Sequence, residues 1–134
     1  AVDNKKNPPN KIVVFDDLGF GGSLRGKSKF GVIDKITMNG RHFNLSSAYL
    51  IQSYKQISPD VRGNLSGLVV FNLSTRELES IINEHNYLES SRAFMSMFRK
   101  TTAKKHSNFI INYSNDPDAL YMDMNFLPVK IDEK

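Results

Sequence analysis

Two adjacent carboxylates at the end of an apolar run are the residues best placed to do chemistry. Ile12-Val13-Val14-Phe15 leads directly into Asp16-Asp17. A short, continuous, β-branched run of this kind suits a strand buried on both faces, as in a parallel sheet. Such a strand holds its terminal carboxylates rigidly at the sheet edge. There the first can bear on a hard divalent cation, directly or through water, while the second orients or deprotonates an attacking water. The plainer alternative is that Asp16 and Asp17 are turn residues after a strand, where aspartate is favoured.

A second segment invites a chemical reading and fails on context. Gly21-Gly22-Ser23-Leu24-Arg25-Gly26-Lys27-Ser28 matches the phosphate-loop pattern G-x-x-x-x-G-K-[ST] letter for letter. A working phosphate loop starts at a strand end and runs straight into a helix, so that backbone N–H groups face the phosphates. Here Asp16 to Phe20 intervene, and two carboxylates on the same strand end would repel a triphosphate. The segment therefore reads as a basic loop with a chance resemblance. Its Arg25, Lys27 and Lys29 are candidates for contact with a DNA backbone; the alternative is a solvated connection.

Other site chemistries are excluded or poorly supported. The chain has no cysteine, which removes disulfides and thiolate metal sites. His42, His85 and His106 are too widely spaced to form a ligand pair, so a zinc site is not expected. Lysine plus arginine exceeds aspartate plus glutamate by 18 − 14 = 4, a mildly basic balance that permits nucleic-acid binding without requiring it. Much of the excess sits in two clusters, Arg25 to Lys29 and Arg99 to Lys105. No apolar run approaches the roughly 20 residues of a membrane span, and no signal-peptide pattern opens the chain. A soluble, intracellular protein without a membrane segment is expected.

The elements that must position these residues alternate along the 134-residue chain. Residues 1–10 read as a polar tail or linker, and Lys11 to Phe15 as the first strand. Phe30 to Met38 approximates a helical stripe with Asn39-Gly40 as its C-cap. Residues 46–52 form a second apolar run, and residues 58–64 a helical turn capped by Ser58 with Pro59 at its first position. Residues 67–73 read as a third strand of the buried type, and Ser74 with Glu77 fits a capping box opening a helix. Residues 87–104 suit another helix with Leu88, Phe94, Met95 and Phe98 inward. Residues 108–113 are a fourth strand, and residues 120–131 an irregular final strand or hairpin. This order predicts an α/β fold with a mostly parallel sheet and flanking helices. Strands ending in Asp16-Asp17, Gln52 and Asn72 put polar groups at carboxyl strand ends, where ligands sit in such sheets.

The order of features resembles a family. Phe15-Asp16-Asp17-Leu18-Gly19-Phe20-Gly21, then residues 39–45 (NGRHFNL), residues 48–54 (AYLIQSY), residues 58–64 (SPDVRGN) and residues 67–71 (GLVVF) are similar to the FtsK/HerA superfamily of DNA-translocating ATPases. The likeness is greatest to the genome-packaging ATPases of poxviruses, other large DNA viruses, virophages and Maverick-type transposons. It covers residues 11–85 well and residues 106–126 more loosely.

The resemblance implies a three-layer, RecA-like P-loop fold, of which residues 11–134 are the C-terminal part. It implies ATP and Mg²⁺ as cofactors, double-stranded DNA as partner and a homo-oligomeric ring, working in a viral factory, a virion or host cytoplasm. Asp16 takes the magnesium-associated position and Asp17 that of the catalytic carboxylate, where cellular relatives more often carry glutamate. Gln52 matches the residue that senses the γ-phosphate or helps position water, while Arg41 and Arg62 match positions able to act on a neighbouring subunit's nucleotide. Asn64 accompanies Arg62. Plainer roles exist for each: Gln52 satisfying backbone groups, and Arg41 complementing a helix C-terminus.

The family's phosphate loop lies upstream of its acidic strand, where this sequence has residues 1–10. A fragment or truncated product is expected, weak in nucleotide binding and negligible in hydrolysis by itself. The alternatives are a non-catalytic α/β module for oligomerisation or DNA binding, and a self-contained small NTPase using Lys27.

Overall fold

The described strands form two kinds of pairing, parallel in the first unit and antiparallel in the second. The computed structural model describes residues 9–17 and 31–130. The chain divides into two compact units, residues 1–64 and residues 65–134. The phosphate-loop look-alike, with Arg25, Lys27 and Lys29, lies outside the described residues.

In the first unit, among the described residues, β1 (Lys11–Asp16) is followed by one α-helix, α1 (Val32–Asn39), and then by β2 (Leu45–Leu50). β2 runs parallel to β1, as a crossover connection allows. They pair from Lys11 opposite Leu45 to Asp16 opposite Leu50. Side chains alternate between the two faces. On one face Phe15 stacks on Tyr49 with ring centroids 5.2 Å apart. The Tyr49 hydroxyl bonds the Thr37 hydroxyl of α1, which itself donates to the Ile33 carbonyl at 2.9 Å. The opposite face is bare among the described residues of this unit: Ile12 is 68%, Val14 54% and Leu50 53% exposed. Burial of β1 on both faces is therefore not what these residues show, because α1 covers one face only.

The C-cap of α1 falls at Gly40, as its position in sequence suggests, but not in the left-handed conformation. The chain continues through a 3-10 turn, Gly40–Phe43, and leaves it through Asn44 at φ 51°. Glycine is required at position 40 for space: a Cβ there would stand 2.8 Å from the Leu45 carbonyl oxygen. A short helix, α2 (Pro59–Gly63), closes the unit; Ser58 caps it by accepting the Val61 N–H at 3.3 Å, with proline at the first turn.

In the second unit β3 (Gly67–Val70) is followed by two helices, α3 (Thr75–His85) and α4 (Ser91–Thr101), before β4 (Phe109–Asn112). β4 runs antiparallel to β3. A short turn then leads to β5 (Tyr121–Asp123), again antiparallel. The expectation of one mostly parallel sheet is corrected here: the protein is α/β with a small parallel sheet and a separate antiparallel one.

Helix and strand limits are tighter than the apolar pattern alone suggests. Ser90 accepts the Ala93 N–H at 3.1 Å and starts α4 there, leaving Leu88 in the connection. Ser74 accepts the Glu77 N–H at 3.4 Å and starts α3. Beyond β3, the Arg99 guanidinium takes the Asn72 side-chain oxygen at 2.9 Å and the Leu73 carbonyl at 2.6 Å, so these acceptors serve a clamp instead of a strand.

The core of this unit is aromatic. Phe94, Phe98 and Phe109 are fully buried, and Phe94 meets Phe109 and Tyr121 edge to face at 5.6 and 5.4 Å. Leu78, Ile81 and Ile82 supply the inward face of α3. Its last residue, His85, is buried, and its Nδ1 bonds the Tyr113 hydroxyl. The Tyr121 hydroxyl donates to the His85 carbonyl at 2.7 Å and accepts the Tyr87 N–H at 3.0 Å. Burial pushes both phenols above their ordinary range, with Tyr87 and Glu84 adding to the effect at Tyr113. They therefore stay protonated across the physiological range.

Candidate functional site

Parallel pairing sets the carboxyl ends of β1 and β2 side by side, and that sheet end is the candidate site. Asp16 closes β1 opposite Leu50 and is exposed, on the same face as Ile12 and Val14. Asp17 follows in the left-handed region at φ 53°, with its N–H donating to the Leu50 carbonyl at 3.3 Å. That conformation costs a non-glycine residue about 1–2 kcal/mol, aspartate being among the more tolerant types. The same backbone bond extends the β1–β2 pairing by one step and fixes where the second carboxylate leaves the sheet. Both carboxylates are open to solvent.

Gln52 is exposed two residues beyond the end of β2. The adjoining loop is built by Gln56, whose side-chain oxygen accepts the N–H groups of Gln52 and Ser53 at 3.0 and 3.1 Å. Together with Ser53 it forms a capping box for the 3-10 turn Tyr54–Gln56. Satisfaction of the loop's backbone thus falls to Gln56, and the Gln52 side chain is not needed for it.

Arg62 sits on α2 and reaches back over this loop. Its guanidinium donates to the Ile57 carbonyl at 3.0 Å and lies 5.2 Å from the centre of the buried Tyr54 ring. Lys55, Ile57, Ser58, Pro59 and Arg62 line a shallow groove of about 390 Å³. Asn64 donates to the Asp60 carbonyl at 2.8 Å, which gives it the turn-closing role. Ser58 donates to Asp34 of α1 at 2.9 Å, so the loop is also tied to the helix covering the sheet.

Arg41 is elsewhere. It lies exposed in the 3-10 turn at the amino end of β2, roughly 17 Å along the strand from the acidic end. The structure therefore brings Asp16, Asp17 and Gln52 to one sheet end, holds Arg62 over the loop that follows Gln52, and puts Arg41 at the other end. Asn72 belongs to the second unit, where Arg99 occupies it.

Among the described residues no group of three or more acidic or histidine side chains gathers to hold a metal. The donors at this sheet end are two exposed carboxylates adjacent in sequence. This suits Mg²⁺, which commonly takes one or two carboxylates and completes its octahedron with waters and substrate phosphates. It suits a dedicated all-protein cage for Ca²⁺ or a transition metal poorly.

Sequence reading missed Asp34, Tyr54 and Gln56. The Ser53-to-Gln56 spacing was a legible signal, a capping box of the S-x-x-Q form. Asp34 and Tyr54 carried none, since their roles depend on tertiary neighbours.

Comparison with known proteins decides the family. The model of the poxvirus A32 protein family matches residues 1–122. The chain belongs to the poxvirus A32 protein family. That family is associated with viral DNA-packaging ATPase activity, which brings ATP, Mg²⁺ and DNA into consideration at family level. No curated protein and no solved structure matches the chain. Among the described residues of this A32-family chain, no helix is long and apolar enough to cross a membrane.

Proposed function

We propose that the chain supplies the magnesium end of an ATP site in a DNA-translocating motor of the FtsK/HerA type, which packages a viral genome as a ring of identical subunits. One observation carries the reading: two exposed carboxylates, one at the end of β1 and one just beyond it in a left-handed conformation, beside Gln52 at the end of the parallel strand. Bound Mg²⁺ would neutralise charge on the β- and γ-phosphates of ATP. Asp16 would hold that ion, directly or through water. Asp17 would orient the attacking water and take its proton as the γ-phosphoryl group leaves ADP, and Gln52, whose side chain the loop backbone does not need, would hydrogen-bond the γ-phosphate.

The two arginines divide. Arg62 is engaged with Ile57 and Tyr54, which supports a role in positioning the Gln52 loop. Arg41, exposed and remote from its own acidic end, is the better candidate to reach a neighbouring subunit's nucleotide. The bare face of Ile12, Val14 and Leu50 supports the view that this sheet is covered by a partner surface when the motor assembles.

Isothermal titration of the intact protein with Mg-ATP tests the assignment. Asp16→Asn should weaken Mg-ATP binding about 10- to 100-fold, as removal of a carboxylate from a metal's surroundings does. ATP without magnesium should bind the variant at least as well as the parent, because one carboxylate that repels the phosphates is gone. Equal affinity of both proteins for Mg-ATP would remove Asp16 from the site.

A further inference from the structure

We infer that the outward stripe of α4 and the turn after it form a docking surface for the phosphate backbone of duplex DNA; the partner rests on the DNA-packaging reading, the surface on the second unit alone. Between Glu89 and Asp116 the chain carries Arg92, Arg99, Lys100, Lys104 and Lys105 and no carboxylate. Phe94, Met97 and Phe98 turn inward. Helical periodicity then puts Arg92, Ser96 and Lys100 on the opposite side, and all three are exposed. Lys104, Lys105 and His106 continue the exposed surface beyond the helix. Arg99 turns to Asn72, Leu73 and Thr75 and holds the β3–α3 connection.

The turn presenting the lysines is well fixed. Thr102 bonds the Phe98 carbonyl through both its N–H and its hydroxyl, each at 2.9 Å. Ser107 donates its N–H to the Lys104 carbonyl at 3.0 Å, and His106 takes a left-handed conformation at φ 67°. A fixed backbone lowers the ordering cost of binding.

Helix-end electrostatics explains only part of this pattern. Cations at Lys100 and beyond complement the C-terminal end of the dipole. Arg92 does not: it is the second residue of α4, whose first turn has no acidic residue and where the dipole disfavours a cation. A linear polyanion accounts for both ends. Arg92 to Lys100 spans about 12 Å along the helix, several phosphates of one strand at about 3.4 Å of axis each.

The composition selects among polyanions. Protein interfaces are anchored by aromatic and apolar residues and depleted in lysine. Single-stranded nucleic acid is held by aromatic stacking. The stripe offers cations and the small polar Ser96, which can contact phosphates without reading bases.

Fluorescence anisotropy of the full chain with a labelled duplex, across about 50–200 mM salt, tests this. A variant with Arg92, Lys100, Lys104 and Lys105 all changed to glutamine should flatten the plot of log affinity against log salt by about 3.6, roughly 0.9 for each phosphate no longer neutralised. A control with equal charge removed at Lys11, Lys35, Arg76 and Lys130 should keep the slope. Single changes Lys104→Gln and Lys105→Gln, each flattening it by about 0.9, keep the test readable if the fourfold variant fails to fold. An unchanged slope in the stripe variant, equal flattening in both variants, or displacement of duplex by poly-glutamate as readily as by competing duplex would each overturn the inference. A chain that binds no duplex even at low salt overturns it too, while the nucleotide site is judged separately by the Mg-ATP titration.

Discussion

Changing Asp17 to asparagine in the intact protein should lower ATP turnover by about 10²- to 10⁴-fold, the usual contribution of a positioned general base. Asparagine keeps the size and one acceptor of the side chain and removes its charge. It tolerates the left-handed region about as well as aspartate, so the φ of 53° at this position survives the change. Mg-ATP affinity should change little, because the proposed magnesium contact is Asp16. A companion change separates chemistry from folding. Asp17→Gly relieves a left-handed strain of about 1 kcal/mol and should raise the melting temperature slightly while turnover falls as far. Single-turnover hydrolysis and thermal denaturation of both variants check the pair. Retained turnover in either would make Asp17 a turn residue only.

Phe94→Ala should destabilise the second unit by about 3–5 kcal/mol, the range for removing a large aromatic from a packed core. Phe94 is fully buried and joins α4 to both β4 and β5 through Phe109 and Tyr121. A unit of 70 residues has a total stability of only about 3.5–10 kcal/mol, so the change removes a large fraction of it. Phe94→Leu, which refills most of the volume, should cost clearly less. Hydrogen exchange in the whole chain gives the readout. Protection should collapse at the amides of Phe109 to Asn112 and persist across Lys11 to Asp16. Protection unchanged at β4 would contradict the described core.

The parts of the fold that were legible in sequence are those decided by local chemistry. The apolar run before Asp16-Asp17, the cap at Ser58 with Pro59, and the cap at Ser74 all stand where residue type puts them. The order strand, helix, helix, strand was also legible, while the antiparallel direction of β4 against β3 was not. Expecting a mostly parallel sheet gave too much weight to alternation, which does not fix the direction in which a connection returns. Exposure of Ile12 and Val14 was not legible, because an apolar strand reads the same whether one face or both are covered. At the candidate site the residue types gave Asp16, Asp17 and Gln52, and parallel pairing explains why they share a sheet end. The bonds that engage Arg62 were invisible, since they run from α2 back to Ile57 and Tyr54. The basic stripe of α4 needed burial as well as charge, because the inward turn of Arg99 separates structural from outward cations.

The central claim is that the acidic end of β1 belongs to the ATP site of a DNA-driven motor. Steady-state ATP hydrolysis by the intact protein, with and without duplex DNA, tests it most directly. The account predicts magnesium-dependent turnover that rises when DNA is added and is lost in Asp17→Asn. Hydrolysis indifferent to DNA, or undiminished by that substitution, would contradict it.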